Sequence, residues 1–148
     1  MTRLLHAVAL GALLLAGCEG GGRAWMEGAR ADSAAAEAGD RDEAIAALER
    51  LVAREVPDDV AAEDARVVLQ DAYARLAALY LEAGDAGAAR READRGLALG
   101  EVDDVFTANL LVARGRADEA LGRDQEAARD YHRAIRVHEA LLDRALSR

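Results

Sequence analysis

The sequence is poor in proline and in aromatic residues. It has one proline, Pro57, and no long run of alternating β-branched and polar residues, so the usual signs of a β-sheet are missing. Aromatic residues make up only 3% of the chain, which means that a core must be built largely from alanine, leucine and valine. These absences predict an all-α protein with one modest domain.

Lysine is absent as well, and acidic residues outnumber basic ones. All 19 basic residues are arginine, and 28 acidic residues bring the net charge to −9 at pH 7. Nucleic acids and anionic lipid surfaces repel a chain this acidic, so we expect neither as a partner of the folded part. Cys18 is the only cysteine, which excludes a disulfide bond within the chain.

Residues 1–17 have the features of an export signal peptide. Arg3 and the amino terminus are positive, the apolar run over 4–16 is too short to span a bilayer as a stable helix, and small residues follow. The sequence Leu-Ala-Gly-Cys over 15–18 resembles the lipobox of bacterial lipoproteins. This resemblance implies cleavage before Cys18 and lipidation of that cysteine. The alternative is an ordinary secretory signal with a chance cysteine.

A lipidated Cys18 would anchor the chain to a membrane, because several acyl chains hold a protein there almost permanently. Residues 18–23 are then the lipidated cysteine and a flexible, glycine-rich tether, and residues 24–146 are the helical domain. By resemblance to lipoprotein sorting, Glu19 after the cysteine favours the outer membrane. We therefore expect the domain in the cell envelope, facing the periplasm.

Three stretches of the chain, residues 37–52, 82–97 and 120–135, repeat one pattern of small and apolar residues. A glycine is followed by matching residues five, nine, twelve and thirteen positions later, and these steps place the side chains on one helix face. The matched sets are Gly39, Gly84 and Gly122; Ala44, Ala89 and Ala127; Leu48, Ala93 and Tyr131; Leu51, Gly96 and Ala134; and Val52, Leu97 and Ile135.

The middle stretch and the residues before it resemble a tetratricopeptide repeat. The positions that carry the resemblance are Ala72, Tyr73, Leu76, Ala77, Tyr80, Gly84, Ala89, Ala93, Gly96 and Leu97. The resemblance covers about residues 24–146 and implies an α-α superhelix, a solenoid of about three helical hairpins. The glycines are 45 and 38 residues apart, so the surplus over the family period lengthens helices by whole turns.

The resemblance also implies a groove for a protein or peptide partner, lined mainly by the first helix of each hairpin. The family's groove positions correspond to Asp71, Ala74, Ala78, Leu81, Glu82, Asn109, Val112, Arg116 and Glu119. Arg116 is the one cation in this set, so we expect mainly acidic edges and a partner segment with apolar anchors and at least one basic residue.

Several local features carry further expectations. The first helix should run over 24–38, Asp40 and Glu43 should form a capping box, and Trp25 should lie in the core or at the membrane interface. Asp58 and Asp59 should start one long helix over 60–83.

In the third repeat, Arg114 and Asp118 should leave one side of the first helix partly exposed. The last helix should pack against that first helix through one face, which comprises Ala127, Tyr131, Ala134, Ile135, His138, Leu141 and Ala145.

No set of residues in the sequence indicates catalysis or a cofactor. His132 and His138 lie on different faces of one predicted helix with no third ligand, so we expect no metal site. The paired acids look like helix starts. Three functions remain: an adaptor for a protein partner in the envelope, a structural protein that associates with itself through alanine-rich faces, and a cell-wall enzyme.

Overall fold

The computed structural model of the protein describes residues 20–147, and the predicted signal peptide and Cys18 lie outside that range. Six α-helices account for most of the described chain, which contains no strand. They are α1 Gly21–Ala38, α2 Arg41–Val52, α3 Ala62–Glu82, α4 Ala86–Ala98, α5 Val105–Ala120 and α6 Asp124–Leu146. The predicted all-α class is confirmed.

Each helix packs against the next one in the chain, and α3 also packs directly against α5. Connections of two or three residues join α1 to α2, α3 to α4 and α5 to α6, which forces the chain to reverse at each of them. Helix α3 therefore contacts α2, α4 and α5. Its contact with α5 creates the surface on which the candidate site lies.

Local signals in the sequence explain most helix ends. Gly84 and Gly122 have φ angles of 82° and 72°, a conformation that costs glycine least, and each directly follows the C-cap of a helix. Asp40 accepts from the amide of Glu43, whose side chain accepts from the Asp40 amide, both at 3.0 Å. The predicted capping box at the start of α2 is confirmed.

The loop before α3 differs from the expectation. Asp59 does not start α3, whose N-cap is Ala61 without a side-chain hydrogen bond. Its Oδ2 atom instead accepts from the backbone amide of Gly22 at 3.0 Å, within the first turn of α1. Helix α1 accordingly begins at Gly21, three residues before the expected start, so residues 21–23 of the predicted tether are helical.

The core is made of leucine and alanine, with small residues where helices approach closely. Leu48, Leu76 and Leu110 are fully buried, and Trp25 is 4% exposed in the core formed by α1, α2 and α3. A Cβ atom on Gly96 would lie 2.5 Å from Cδ2 of Leu110, and one on Gly115 would lie 2.7 Å from the Tyr131 ring. Both glycines therefore allow neighbouring helices to pack in contact.

Helix α6 packs on α5 through a narrower face than predicted. Ala127, Ala134 and Val137 are buried, but Ile135 is 55% exposed, and His138 and Ala145 are exposed as well. No other described helix covers that side of α6. The exposed apolar residues Ile135, Leu142 and Leu146 of α6, the last two 58% and 77% exposed, are referred to below as the α6 outer face.

Candidate partner-binding groove along α1, α3 and α5

The first part of the candidate site is a hollow of about 250 Å³ between α3 and α5. Seven of the nine predicted groove residues line it, because steps of three and four place them on the facing sides of two packed helices. Its lining comprises Asp71, Ala74, Arg75, Ala78 and Leu81 of α3, and Asn109, Val112, Ala113 and Arg116 of α5. That these residues bind a partner stays a prediction.

The other two predicted groove residues do not line this hollow. Glu82 is exposed at the last residue of α3. Glu119 is exposed too, and its Oε2 atom accepts a hydrogen bond at 2.9 Å from the hydroxyl of Tyr131 on α6. Of the three predicted groove carboxylates, only Asp71 is therefore part of the lining.

A second hollow of about 300 Å³ adjoins the first, and Asp71 lines both. The second hollow is mostly apolar, and Phe106 reaches it from the start of α5. Its lining comprises Met26, Ala29, Arg30, Ser33, Leu51, Val67, Val68, Asp71 and Phe106. The two hollows together are called the groove from here on.

The α1 side of the groove was not predicted, yet the sequence contains a signal for it. On each of three helices, four residues line the groove, and the second, third and fourth follow the first by three, four and seven positions. Equivalent residues on successive helices are 45 and 38 positions apart, which are also the spacings of the turn glycines. The equivalent sets are Met26, Ala29, Arg30 and Ser33; Asp71, Ala74, Arg75 and Ala78; and Asn109, Val112, Ala113 and Arg116.

The charge of the lining is opposite to the expectation, since three arginines face one carboxylate. Arg75 donates to Oγ of Ser33 at 2.7 Å and lies 3.8 Å from Asp71, a loose ion pair. Arg30 and Arg116 form no ion pair within 4.0 Å with any residue among 20–147, although most arginines of that range do. The groove is therefore basic on an acidic protein.

Buried ion pairs hold the helices behind the groove. Arg114 and Asp118, which were expected to leave one side of α5 exposed, are instead largely buried against α4 and α6. Asp118 accepts from Nε of Arg90 at 2.7 Å, and Arg90 also binds Asp94 at 3.0 Å. Hydrogen bonding to Asp130 raises the pKa of Arg114 above its ordinary value in spite of burial. The sequence prediction was wrong here because a buried charge is stable when partners surround it.

A second polar cluster fixes the start of α5, next to Phe106. Arg66 of α3 donates to Asp104 at 2.8 Å, and Asp104 caps α5 by accepting from the Thr107 amide at 2.8 Å. Burial opposes ionisation of Asp104, but these hydrogen bonds outweigh it and lower its pKa. Gln70 donates to the carbonyls of Gly96 and Gly100 at 3.1 and 2.8 Å. The first half of α3 therefore fixes both the end of α4 and the start of α5.

A further hollow, of about 500 Å³, lies between the α4–α5 connection and α6. It is open and carries both charges, with an ion pair between Arg133 and Glu101 and with His132, Arg136 and Asp103 nearby. Over residues 20–147 there is no group of three histidine, cysteine, aspartate or glutamate side chains placed to hold a metal ion.

Comparison with protein-family models and with curated proteins finds no match to this chain. None of the helices within 20–147 is both long enough and apolar enough to cross a membrane. The function is therefore inferred from the residues of the groove and their geometry.

Proposed function

We propose that this protein is a lipid-anchored adaptor of the tetratricopeptide type, which holds a protein or peptide partner close to a membrane of the bacterial cell envelope. The observation that carries the proposal is the groove itself. Equivalent positions on α1, α3 and α5 line it, at the spacings of the turn glycines. A repeated unit that presents one face to a shared concave surface is typical of solenoids that bind peptides.

The packing order supports the repeat assignment. Short connections pair α1 with α2, α3 with α4 and α5 with α6, and the first helices of the second and third pairs pack directly on each other. Whole-turn insertions keep such faces in phase, which explains how spacings of 45 and 38 residues preserve the groove positions.

The anchor part of the proposal rests on the lipobox-like sequence that ends at Cys18. Helix α1 begins at Gly21, so only residues 19 and 20 separate it from the lipidated cysteine. At about 3.5 Å per residue, the helix starts within roughly 10 Å of the anchor. The adaptor would therefore present its partner close to the bilayer. We place it on the periplasmic side of the outer membrane.

The groove is tested by comparing two matched substitutions in crosslinked envelopes. Leu81→Asp adds a charge to the apolar floor, which leaves an unpaired carboxylate in any complex, whereas Leu142→Asp makes the same change on the α6 outer face. We expect Leu81→Asp to lose the proteins that co-purify with wild type and Leu142→Asp to retain them. Equal recovery with both variants, at equal protein level and helicity, would disprove the groove as the binding site.

A second candidate function, self-association, is favoured by the α6 outer face. Ile135, Leu142 and Leu146 are more than half exposed and follow one another at helical spacing of seven and four residues. An exposed apolar stripe of this kind marks a contact surface, and a second copy of the chain would cover it symmetrically. No observation on the described residues favours the third candidate, a cell-wall enzyme.

A further inference from the structure

We propose that the partner segment held in the groove is acidic, with carboxylates against Arg30, Arg75 and Arg116 and apolar side chains in the two hollows. This inference rests on the proposed function and names the chemistry of the partner. It reverses the sequence-based expectation of a partner with a basic residue, because the structure changes which charged residues line the groove.

The groove differs in charge from the rest of the molecule. The chain carries 19 basic and 28 acidic residues, which gives the net charge of −9. The lining carries three arginines and Asp71, a net of +2 from 3 − 1. The net negative charge of the chain repels an acidic segment, whereas the arginines of the groove attract it.

The groove arginines are only loosely paired with carboxylates or not paired at all. Arg114 and Arg66 approach their carboxylate partners within 2.6 and 2.8 Å, but Arg75 comes no closer than 3.8 Å to one. Arg30 and Arg116 have no carboxylate within 4.0 Å among residues 20–147. Guanidinium groups left unpaired at a concave surface favour bidentate hydrogen bonds with incoming carboxylates.

The arginines are also distributed so that an extended ligand would meet all of them. One lies on each helix that forms the groove, Arg30 on α1, Arg75 on α3 and Arg116 on α5. The Arg75 guanidinium donates a hydrogen bond to Oγ of Ser33 on α1, which fixes the arginine side chain. Less side-chain entropy is therefore lost when a ligand binds Arg75. A segment that crosses all three helices can therefore engage each arginine.

The apolar parts of the groove require that this segment is amphipathic. Met26, Val67 and Phe106 line the hollow of about 300 Å³, and Ala78, Leu81 and Val112 line that of about 250 Å³. Each hollow has room for one or two large side chains. The ligand that fits is a peptide segment with two apolar anchors and several aspartate or glutamate residues, presented as a helix or an extended strand.

The test uses random peptides displayed on phage and selected on the full-length protein in detergent. We expect the selected peptides to be enriched in aspartate and glutamate and to contain at least two large apolar residues. A synthetic copy of the most enriched peptide, carrying a fluorophore, is then titrated with wild type, with the groove variant Arg30→Glu/Arg116→Glu, and with Arg91→Glu/Arg136→Glu. The last pair is the matched control, because it makes the same charge change at exposed arginines outside the groove that also lack an ion pair among residues 20–147.

The groove variant should weaken binding about tenfold or more, and the control about twofold or less, since close charge pairs at an interface contribute more than distant ones. The neutral variant Arg30→Gln/Arg116→Gln should fall between wild type and the groove variant, which keeps the test valid if the charge reversal perturbs the fold. Equal loss in the groove and control variants would overturn the inference, because the attraction would then be general.

Failure of the inference and failure of the proposed function give different results. Neutral or basic peptides whose binding is lost in Leu81→Asp would overturn the acidic partner but retain the groove. A selection in which no peptide depends on Leu81 or on the groove arginines would overturn both. An apparent mass by light scattering that rises with concentration in wild type, but not in Arg30→Glu/Arg116→Glu, would mean that a second copy fills the groove. That result would also overturn the inference.

Discussion

Arg114 on α5 holds both carboxylate oxygens of Asp130 on α6, through Nε at 2.6 Å and Nη2 at 2.7 Å. The same guanidinium donates from Nη1 to Asp94 on α4 at 3.0 Å. The Arg114 side chain is 18% exposed and that of Asp130 is 7% exposed, so solvent screens the pair only weakly. One residue therefore connects three helices in the half of the molecule that supports the groove.

Removing one charge from this pair should destabilise the protein strongly. In Asp130→Asn, the buried guanidinium loses its main counter-charge and keeps only Asp94, so we expect a loss of about 2–4 kcal/mol. Glu126→Gln is the control, because it breaks an exposed pair with Arg129 and should cost less than about 1 kcal/mol. Urea denaturation measures both; a loss as small in Asp130→Asn as in the control would contradict the prediction.

Gly96 should not accept a larger side chain. Its position against Leu110 leaves no room for one, so Gly96→Leu must separate α4 from α5 and should cost about 1–3 kcal/mol. Ala98→Leu adds the same side chain at an exposed position of α4 and serves as the comparison. Thermal unfolding should give a melting temperature several degrees lower for Gly96→Leu only. Equal values would show that the close approach is not required.

Two tyrosines should make stability fall at high pH. The hydrogen bond from Tyr80 to Glu49 and burial raise the pKa of Tyr80 to about 12, and burial and Glu119 raise that of Tyr131 to about 12. The unfolded value is about 10, so this contribution is complete below pH about 10 and is lost as the pH rises through about 12. Burial raises the pKa of Tyr73 as well, so phenolate absorbance should show no tyrosine titrating at the ordinary value, and Tyr80→Phe should remove one of the two that titrate near pH 12. Titration of all three near pH 10 would refute this.

The second candidate function predicts a measurable association. If the α6 outer face contacts a second copy, the apparent mass of the full-length protein in detergent should rise with its concentration, as measured by light scattering. Leu142→Asp should abolish the rise by introducing a carboxylate into an apolar contact. Leu81→Asp, on the groove, should leave it unchanged. A concentration-independent mass for wild type would eliminate this candidate.

The proposed lipid anchor predicts that Cys18 determines whether the protein is found in the membrane fraction. Cys18→Ala removes the one thiol that can carry acyl chains, so the variant should leave the membrane fraction or remain unprocessed. Cys18→Ser is a second variant that changes only the side-chain sulfur. Fractionation followed by immunoblotting measures both location and processing. A processed variant that stays with the membrane would show that the anchor is assigned incorrectly.

Helices, turns and part of the groove were predictable because they depend on local properties of the chain. Apolar spacing fixes which side of α3 and α5 packs inward. The family resemblance then placed groove positions such as Asp71, Val112 and Arg116 on the side that remains, and these residues line the hollow. Gly84 and Gly122 mark the ends of α3 and α5 because few other residues adopt a positive φ at low cost.

The charge of the groove and the buried ion pairs were not predictable, because they depend on partners far away in the sequence. Nothing local indicates that Asp94 and Asp130 surround Arg114, or that Glu119 turns away from the groove to Tyr131. The exposure of Ile135 likewise depends on whether another helix covers α6.

The sequence by itself thus determined the helical class, the turn positions and the residues of α3 and α5 that share one face, since helix periodicity and glycine conformation act over a few residues. Only the tertiary structure brought Arg30 and Arg75 into the groove and left Glu82 and Glu119 outside it. The physical reason is that a pocket's charge is the sum over side chains from several helices, and the distances between those helices are set by packing.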